Sequence, residues 1–235
     1  MSREREGAKQ EGTNREGLFI TFEGGEGAGK STLINKIYHE LIKQGHSTVK
    51  TREPGGTRLG EQIRQVILSH DTAAPIGTRA ELLLFLASRV QSLDEVILPA
   101  LKAGKVVLCD RDNDSSSAYQ GYARGLGIDR VEALANLACE GLTPDVTFFL
   151  DLDPDVGLQR TRNASREAPA DRIEQEKLAF HKQVRKGFLE LASRHSERFV
   201  VINAASPPDE VFQATWSALT KYFSRTLRGV YTPRS

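Results

Sequence analysis

The sequence predicts an α/β protein: a doubly wound, five-stranded parallel sheet flanked by helices. Short runs rich in β-branched and aromatic residues alternate along the chain with longer amphipathic runs, the rhythm of repeated βαβ units. A glycine-rich turn joins the first short run to the first long one, and no internal repeat or low-complexity segment interrupts the pattern.

The strands are read at Leu18 to Phe22, Thr48 to Thr51, Val106 to Cys109, Val146 to Leu150 and Phe199 to Ile202. Helical spacing is read over Ser31 to Lys43, Arg58 to Leu68, Glu81 to Leu93, Glu132 to Cys139 and Ile173 to Ala192. In the first of these, Leu33, Ile34, Ile37 and Leu41 share one face. Asn163 to Asp171 is a polar, proline-containing break between two helical patterns. Residues 1–17 have too few apolar side chains to offset the entropy of ordering and are expected to form a disordered tail, with a second short tail over 224–235.

At 235 residues the chain suits one domain, expected over 18–223. Its formal net charge of +1 argues against a nucleic-acid or membrane-surface partner, so any anion site must be local. The two cysteines, Cys109 and Cys139, are too few for a disulfide framework, and the five histidines lack metal-site spacing. No signal-type or spanning apolar run occurs, so a cytoplasmic protein is expected.

In open parallel sheets ligands bind beyond the carboxyl ends of the strands, which directs attention to the exits after Phe22, Thr51 and Cys109. After the first, Gly24, Gly25, Glu26, Gly27, Ala28, Gly29, Lys30 and Ser31 fit G-x-x-x-x-G-K-[ST], with Thr32 following inside the helix. Glycines let the backbone curl its N–H groups around phosphate oxygens while the helix N-terminus adds partial positive charge. Lys30 is placed to reach the terminal phosphates of ATP, and Ser31 to ligate Mg2+. The guanine-reading and switch motifs of GTPases are absent.

The second exit reads Thr51-Arg52-Glu53-Pro54-Gly55-Gly56-Thr57. The third reads Asp110-Arg111 followed by Ser115-Ser116-Ser117-Ala118-Tyr119-Gln120-Gly121. Together with F-E-G-G-E-G-A-G-K-S, the Phe85 to Arg89 segment and Asp171-Arg172-Ile173-Glu174, these resemble the thymidylate kinases, a P-loop nucleoside-monophosphate kinase family. Glu26-Gly27 and the later Arg160, Arg162 and Arg166 make the bacterial form the nearer match, over Leu18 to roughly Phe223.

The resemblance implies transfer of the γ-phosphoryl group of ATP to dTMP. It implies that Arg111 clamps the acceptor phosphate, with Arg52 either assisting or serving the structure, and that Asp110 sits near the magnesium. Glu26 would contact the sugar 3'-hydroxyl, Phe85 would stack on thymine, Arg89 would donate to its O4 and Ser116 would touch the base. Tyr119 would crowd the sugar C2' position, and Pro54 would follow a cis peptide near the acceptor phosphate. A lid over about 160–171 would bring Arg162 or Arg166 to the transferring phosphate, and a homodimer would pair the helices around Ala80 to Leu93 and Val131 to Cys139. Asp112 departs from the family pattern, and with Asp110 and Asp114 it is expected to make the loop less favourable to an anionic acceptor. Two other readings stay open: another deoxynucleotide or deoxynucleoside kinase, and a catalytically weak nucleotide-binding regulator.

Overall fold

The computed structural model describes residues 16–69, 75–164 and 171–226. Most of both expected tails, much of the expected lid and Arg166 lie outside the described residues. Gly17 already belongs to the fold, its N–H donating to the Leu101 carbonyl at 2.9 Å.

Five strands, β1 (Leu18–Glu23), β2 (Thr48–Arg52), β3 (Val106–Asp110), β4 (Val146–Asp151) and β5 (Phe199–Asn203), form one sheet in the order β2-β3-β1-β4-β5. Every pairing is parallel, as expected. Both faces are covered. On one, Leu18, Ile20, Phe22, Leu108 and Phe148 pack with Leu33, Ile37 and Leu41 of α1 (Lys30–Lys43) and with Leu219 and Phe223 near the C-terminal end of the described chain. On the other, Phe19, Val107 and Cys109 meet Leu93, Ile97 and Leu101, while Phe149 and Phe199 meet Val184, Phe188 and Leu191. The alternation of Leu18/Ile20/Phe22 against Phe19 is the period of two that sends successive side chains to opposite faces.

The remaining helices are α2 (Arg58–Leu68), α3 (Thr78–Ser92), α4 (Leu98–Lys102), α5 (Asn113–Ser116), α6 (Ile128–Ala138), α7 (Pro154–Ala164), α8 (Leu178–Arg194) and α9 (Pro208–Thr226). Helix α2 matches its expected bounds, capped by the Thr57 hydroxyl, which accepts from the Gly60 N–H at 3.0 Å. Two π-helical segments, Leu93–Ile97 and Ser117–Ala123, extend α3 toward α4 and α5 toward α6. The long helix expected from Ile173 begins instead at Leu178. Residues 171–177 form turns in which Asp171 Oδ1 accepts the Ile173 and Glu174 N–H groups at 2.8 and 2.9 Å.

Register aligns the three exits singled out by the sequence. Phe22 of β1 and Arg52 of β2 both pair with Asp110 of β3, so Glu23, Glu53 and Arg111 emerge side by side.

Candidate active site

The first exit is the phosphate loop. Gly27 takes φ 67°, and a Cβ there would lie 2.1 Å from the Gly157 carbonyl of α7, so only glycine lets this turn dock against that helix. Lys30 is buried, its Nζ donating to the Gly24 and Gly25 carbonyls at 3.1 and 3.0 Å. Burial and the neighbouring Arg111 lower its pKa. Ser31 Oγ donates to Asp110 Oδ2 at 2.8 Å, which brings the two expected metal ligands together across α1 and β3. That pair of hard oxygens fits Mg2+, which usually keeps waters and substrate phosphates as its other ligands. Among the described residues, no group of three or more His, Cys, Asp or Glu side chains converges as a protein-only metal cage.

The third exit supplies Arg111, whose φ of 71° lies in the left-handed region that favours glycine, at a cost of about 1–3 kcal/mol. Its backbone N–H is held by the Phe22 carbonyl at 3.0 Å. Its guanidinium donates to the Gly24 carbonyl at 2.9 Å and to Glu26 Oε1 at 2.6 Å. Tyr119 OH donates to the same Glu26 oxygen at 3.1 Å. Burial opposes ionisation of Glu26, but the Arg111 and Lys30 cations outweigh it and hold the carboxyl at about 2.

Beside Arg111 opens a cavity of about 130 Å³. Of the expected acceptor residues, Glu26, Pro54, Phe85, Arg111, Ser116 and Tyr119 line it, and the Glu53–Pro54 peptide is cis, as the resemblance implies. Arg52 does not line it. Its guanidinium instead pairs with Glu61 at 3.0 Å, and Glu61 also accepts the Gly56 N–H, so Arg52 braces the loop between β2 and α2. Arg89 is also set back from the cavity. Its guanidinium, 2% exposed, donates to Glu53 Oε2, to Ser116 Oγ at 3.1 Å and to the Asp112 carbonyl at 3.0 Å. Arg89 therefore organises two cavity-lining groups, Glu53 and Ser116, from behind.

The same network corrects the expectation about the three aspartates. Asp112 turns inward to Arg89, 3.2 Å away, and Asp114 pairs with Arg198 at 2.7 Å. Of the three, only Asp110 stands beside the phosphate loop, while the other two are paired with arginines away from it. Glu53 and Asp112 share one buried guanidinium. Burial raises both, Glu53 to about 8 with the Asp112 charge adding to it, and Asp112 to about 6 with the Asp114 charge adding to it, against the pull of Arg89. Glu23, at the end of β1, is likewise raised to about 8 by burial and by Asp114 while accepting from the Asp112 N–H and the Ser115 hydroxyl.

Sequence reasoning gave no role to several cavity-lining groups, among them Glu53, Arg64, Gln120 and Glu174. Glu53, Gln120 and Glu174 lie inside motifs quoted for the resemblance, which was the available signal. Arg64, whose NH1 donates to the Pro54 carbonyl at 3.0 Å, looks in sequence like a solvent-facing residue of α2. On the other side of the phosphate loop, Gly29, Thr32, Lys36, Arg160, Ala204 and Pro208 border a second cavity of about 320 Å³. Arg160 and Arg162 stand on α7: the first donates to the Ala204 carbonyl at 3.1 Å, and the second is exposed.

Comparison with known proteins gives consistent matches. A family model described as thymidylate kinase matches residues 22–215. The thymidylate kinase of Protochlamydia amoebophila (strain UWE25) is 46% identical over 216 residues, covering 90% of this chain and 96% of that protein. That of Clostridium novyi (strain NT) is 49% identical over 198 residues, covering 84% and 95%. The crystal structure of thymidylate kinase from Ehrlichia chaffeensis superposes with a TM-score of 0.68 at 32% identity, covering 86% of this chain and 98% of that one.

Proposed function

The chain belongs to the thymidylate kinase family and phosphorylates dTMP to dTDP with ATP, and on that premise we propose how its own residues divide the work. The donor triphosphate lies along the loop from Gly24 to Ser31 and Thr32, its terminal phosphates on backbone N–H groups and Lys30, its nucleoside in the cavity beside Arg160 and Ala204. Ser31 and Asp110 hold Mg2+, which neutralises phosphate charge when bound.

The acceptor occupies the cavity beside Arg111. Thymine stacks on Phe85, whose ring is half-buried against the apolar cluster beneath it, and meets Ser116 and the amide of Gln120 at its edge. The acceptor phosphate draws Arg111 from Glu26, since a dianion competes well for a two-pronged guanidinium. Glu26 is then free to accept from the sugar hydroxyl, and the Tyr119 ring packs against the sugar. Arg89 supports the base edge through Ser116 and Glu53. Arg162 or Arg166 supplies the last cation, since charge on the transferring group governs such reactions.

We also assign a homodimer. Leu83 of α3 and Leu134 and Leu137 of α6 are 60%, 38% and 79% exposed on helices that pack together through Leu82, Leu86, Val131 and Ala135, an apolar surface suited to a two-fold interface. No helix among the described residues is long and apolar enough to cross a membrane. The buried free thiols of Cys109 and Cys139 suit a cytoplasmic setting.

The observation that carries this reading is the adjacency of two sites, one built from Lys30, Ser31 and Asp110 and the other from Phe85, Arg111 and Tyr119, on neighbouring strand ends. ADP release measured across dTMP, dUMP, dCMP, dGMP and thymidine is expected to be fastest with dTMP. Lys30→Ala is expected to lower that rate at least about 10²-fold with the fold retained. Turnover of thymidine without dTMP turnover, or full activity in Lys30→Ala, would contradict the assignment.

A further inference from the structure

Glu81 sits in the first turn of α3 with its carboxylate almost wholly buried, 1% exposed, and it does not line the acceptor cavity. Three side chains from two other elements converge on it. Gln120 Nε2 donates to Oε1 at 2.8 Å. Arg124 reaches Oε1 through Nε at 3.3 Å, and Arg172 donates to Oε2 at 2.6 Å. The arginines are themselves anchored: Arg172 Nε to the Ile67 carbonyl at 2.9 Å, and Arg124 to Glu176 at 2.6 Å. Burial disfavours the ionised carboxyl, but the Gln120 hydrogen bond and the two cations prevail and lower its pKa.

An ionised carboxylate has only acceptor capacity, so the Gln120 amide must turn its NH2 branch to Glu81. Its carbonyl branch then lies on the opposite side of the amide. Gln120 is itself 1% exposed and lines the acceptor cavity with Phe85 and Ser116. A fixed amide presents a fixed pattern. A carbonyl facing the base edge accepts from a ring N–H, as thymine and uracil offer at position 3, whereas cytosine offers a lone pair there and would leave two acceptors opposed.

We propose that Glu81 is a positioning residue for base choice: by holding the Gln120 amide with its carbonyl toward the cavity, it makes the acceptor site select a pyrimidine carrying an N–H at ring position 3. The proposal rests on the reading of this cavity as the acceptor-base site. It also ties that choice to the turn at 171–176, because Arg172 and Glu176 belong to the same charge cluster.

The test compares kcat/KM for dTMP and dCMP in the wild-type enzyme, in Glu81→Gln and in Glu81→Asp. Glu81→Gln lets the facing amide flip, since the new side chain both donates and accepts. Glu81→Asp keeps a negative charge for both arginines but draws it back from Gln120 by one carbon–carbon bond, about 1.5 Å, which guards against simple misfolding. The dTMP-to-dCMP ratio is expected to fall about 10- to 100-fold in Glu81→Gln, and in the same direction in Glu81→Asp, through a higher KM for dTMP with the KM for ATP unchanged. A merely structural role would lower both substrates together, and an unchanged ratio in whichever variant folds would overturn the proposal. Gln120→Met is expected to lose the same discrimination, and its retention there would also overturn it. Failure of the wild-type enzyme to use dTMP at all would instead indict the reading of the cavity.

Discussion

Arg89 carries a positive charge into the protein interior, and its surroundings explain why that is tolerated. Burial of a lone cation is costly, yet here Glu53 and Asp112 flank the guanidinium and the Asp112 carbonyl and Ser116 take further N–H groups. Burial raises both carboxyls despite Arg89, Glu53 to about 8 with the Asp112 charge adding to it. A carboxyl with a folded pKa above its unfolded value binds more protons in the folded state, so stability falls as pH rises from about 4.5 to about 8. Asp112→Asn removes one acid and its repulsion, lowers the folded pKa of Glu53, and is expected to flatten that fall. Thermal unfolding at pH 6 and pH 9 checks it: a melting-temperature drop as large in the variant as in the wild type would contradict the account. The role of Asp112 was not legible in sequence, because its distance from Arg89 along the chain hides that they touch. Phe85, Arg111 and Tyr119, by contrast, come from motifs quoted in the sequence and line one cavity.

At the scale of elements, all five strands run one residue beyond their expected ends, to Glu23, Arg52, Asp110, Asp151 and Asn203. The apolar pattern ends before the polar residue at each strand's carboxyl end, whereas the hydrogen-bonded ladder continues into it. The phosphate loop was readable because its determinants are local: glycine positions, a preceding strand and a following helix. The π-helical Ser117–Ala123 was not, since no local residue pattern marks its spacing; it packs closely on α8, where a Cβ on Gly187 would meet Tyr122 Cβ at 2.9 Å. Helix α7 is marked in sequence only by the break that follows it, since its run Pro154–Ala164 is largely polar, yet it braces the phosphate loop: a Cβ on Gly157 would lie 2.2 Å from the Glu26 carbonyl. Gly157→Ala must therefore push the loop away. It is expected to cost about 1–3 kcal/mol of stability in denaturant unfolding and to reduce kcat about 10²-fold by misplacing the phosphate groups. Wild-type stability and turnover in that variant would show that α7 does not position the loop.

For the whole molecule, the doubly wound sheet accounts for both the core and the site. Its two faces bury separate apolar clusters, and its parallel register sets three carboxyl ends in a row so that donor and acceptor cavities open on either side of one phosphate loop. The exposed leucines of α3 and α6 lie outside this scheme, and the proposed pairing with a second copy would bury them. Leu137→Glu is expected to convert the dimer to a monomer in sedimentation velocity, because a charge in the centre of an apolar interface goes unpaired. A wild-type protein that sediments as a monomer, or a variant that remains dimeric, would exclude this face as the interface. Phosphoryl transfer in this cleft requires two nucleotides to converge on Lys30 and Arg111. The most direct measurement is a crystal structure with dTMP and a non-hydrolysable ATP analogue bound together. Thymine is expected on Phe85 and beside Gln120, its phosphate on Arg111 and in line with a terminal phosphate held by Lys30. Nucleotides bound at separate ends of the sheet, or dTMP lying away from Arg111, would contradict it.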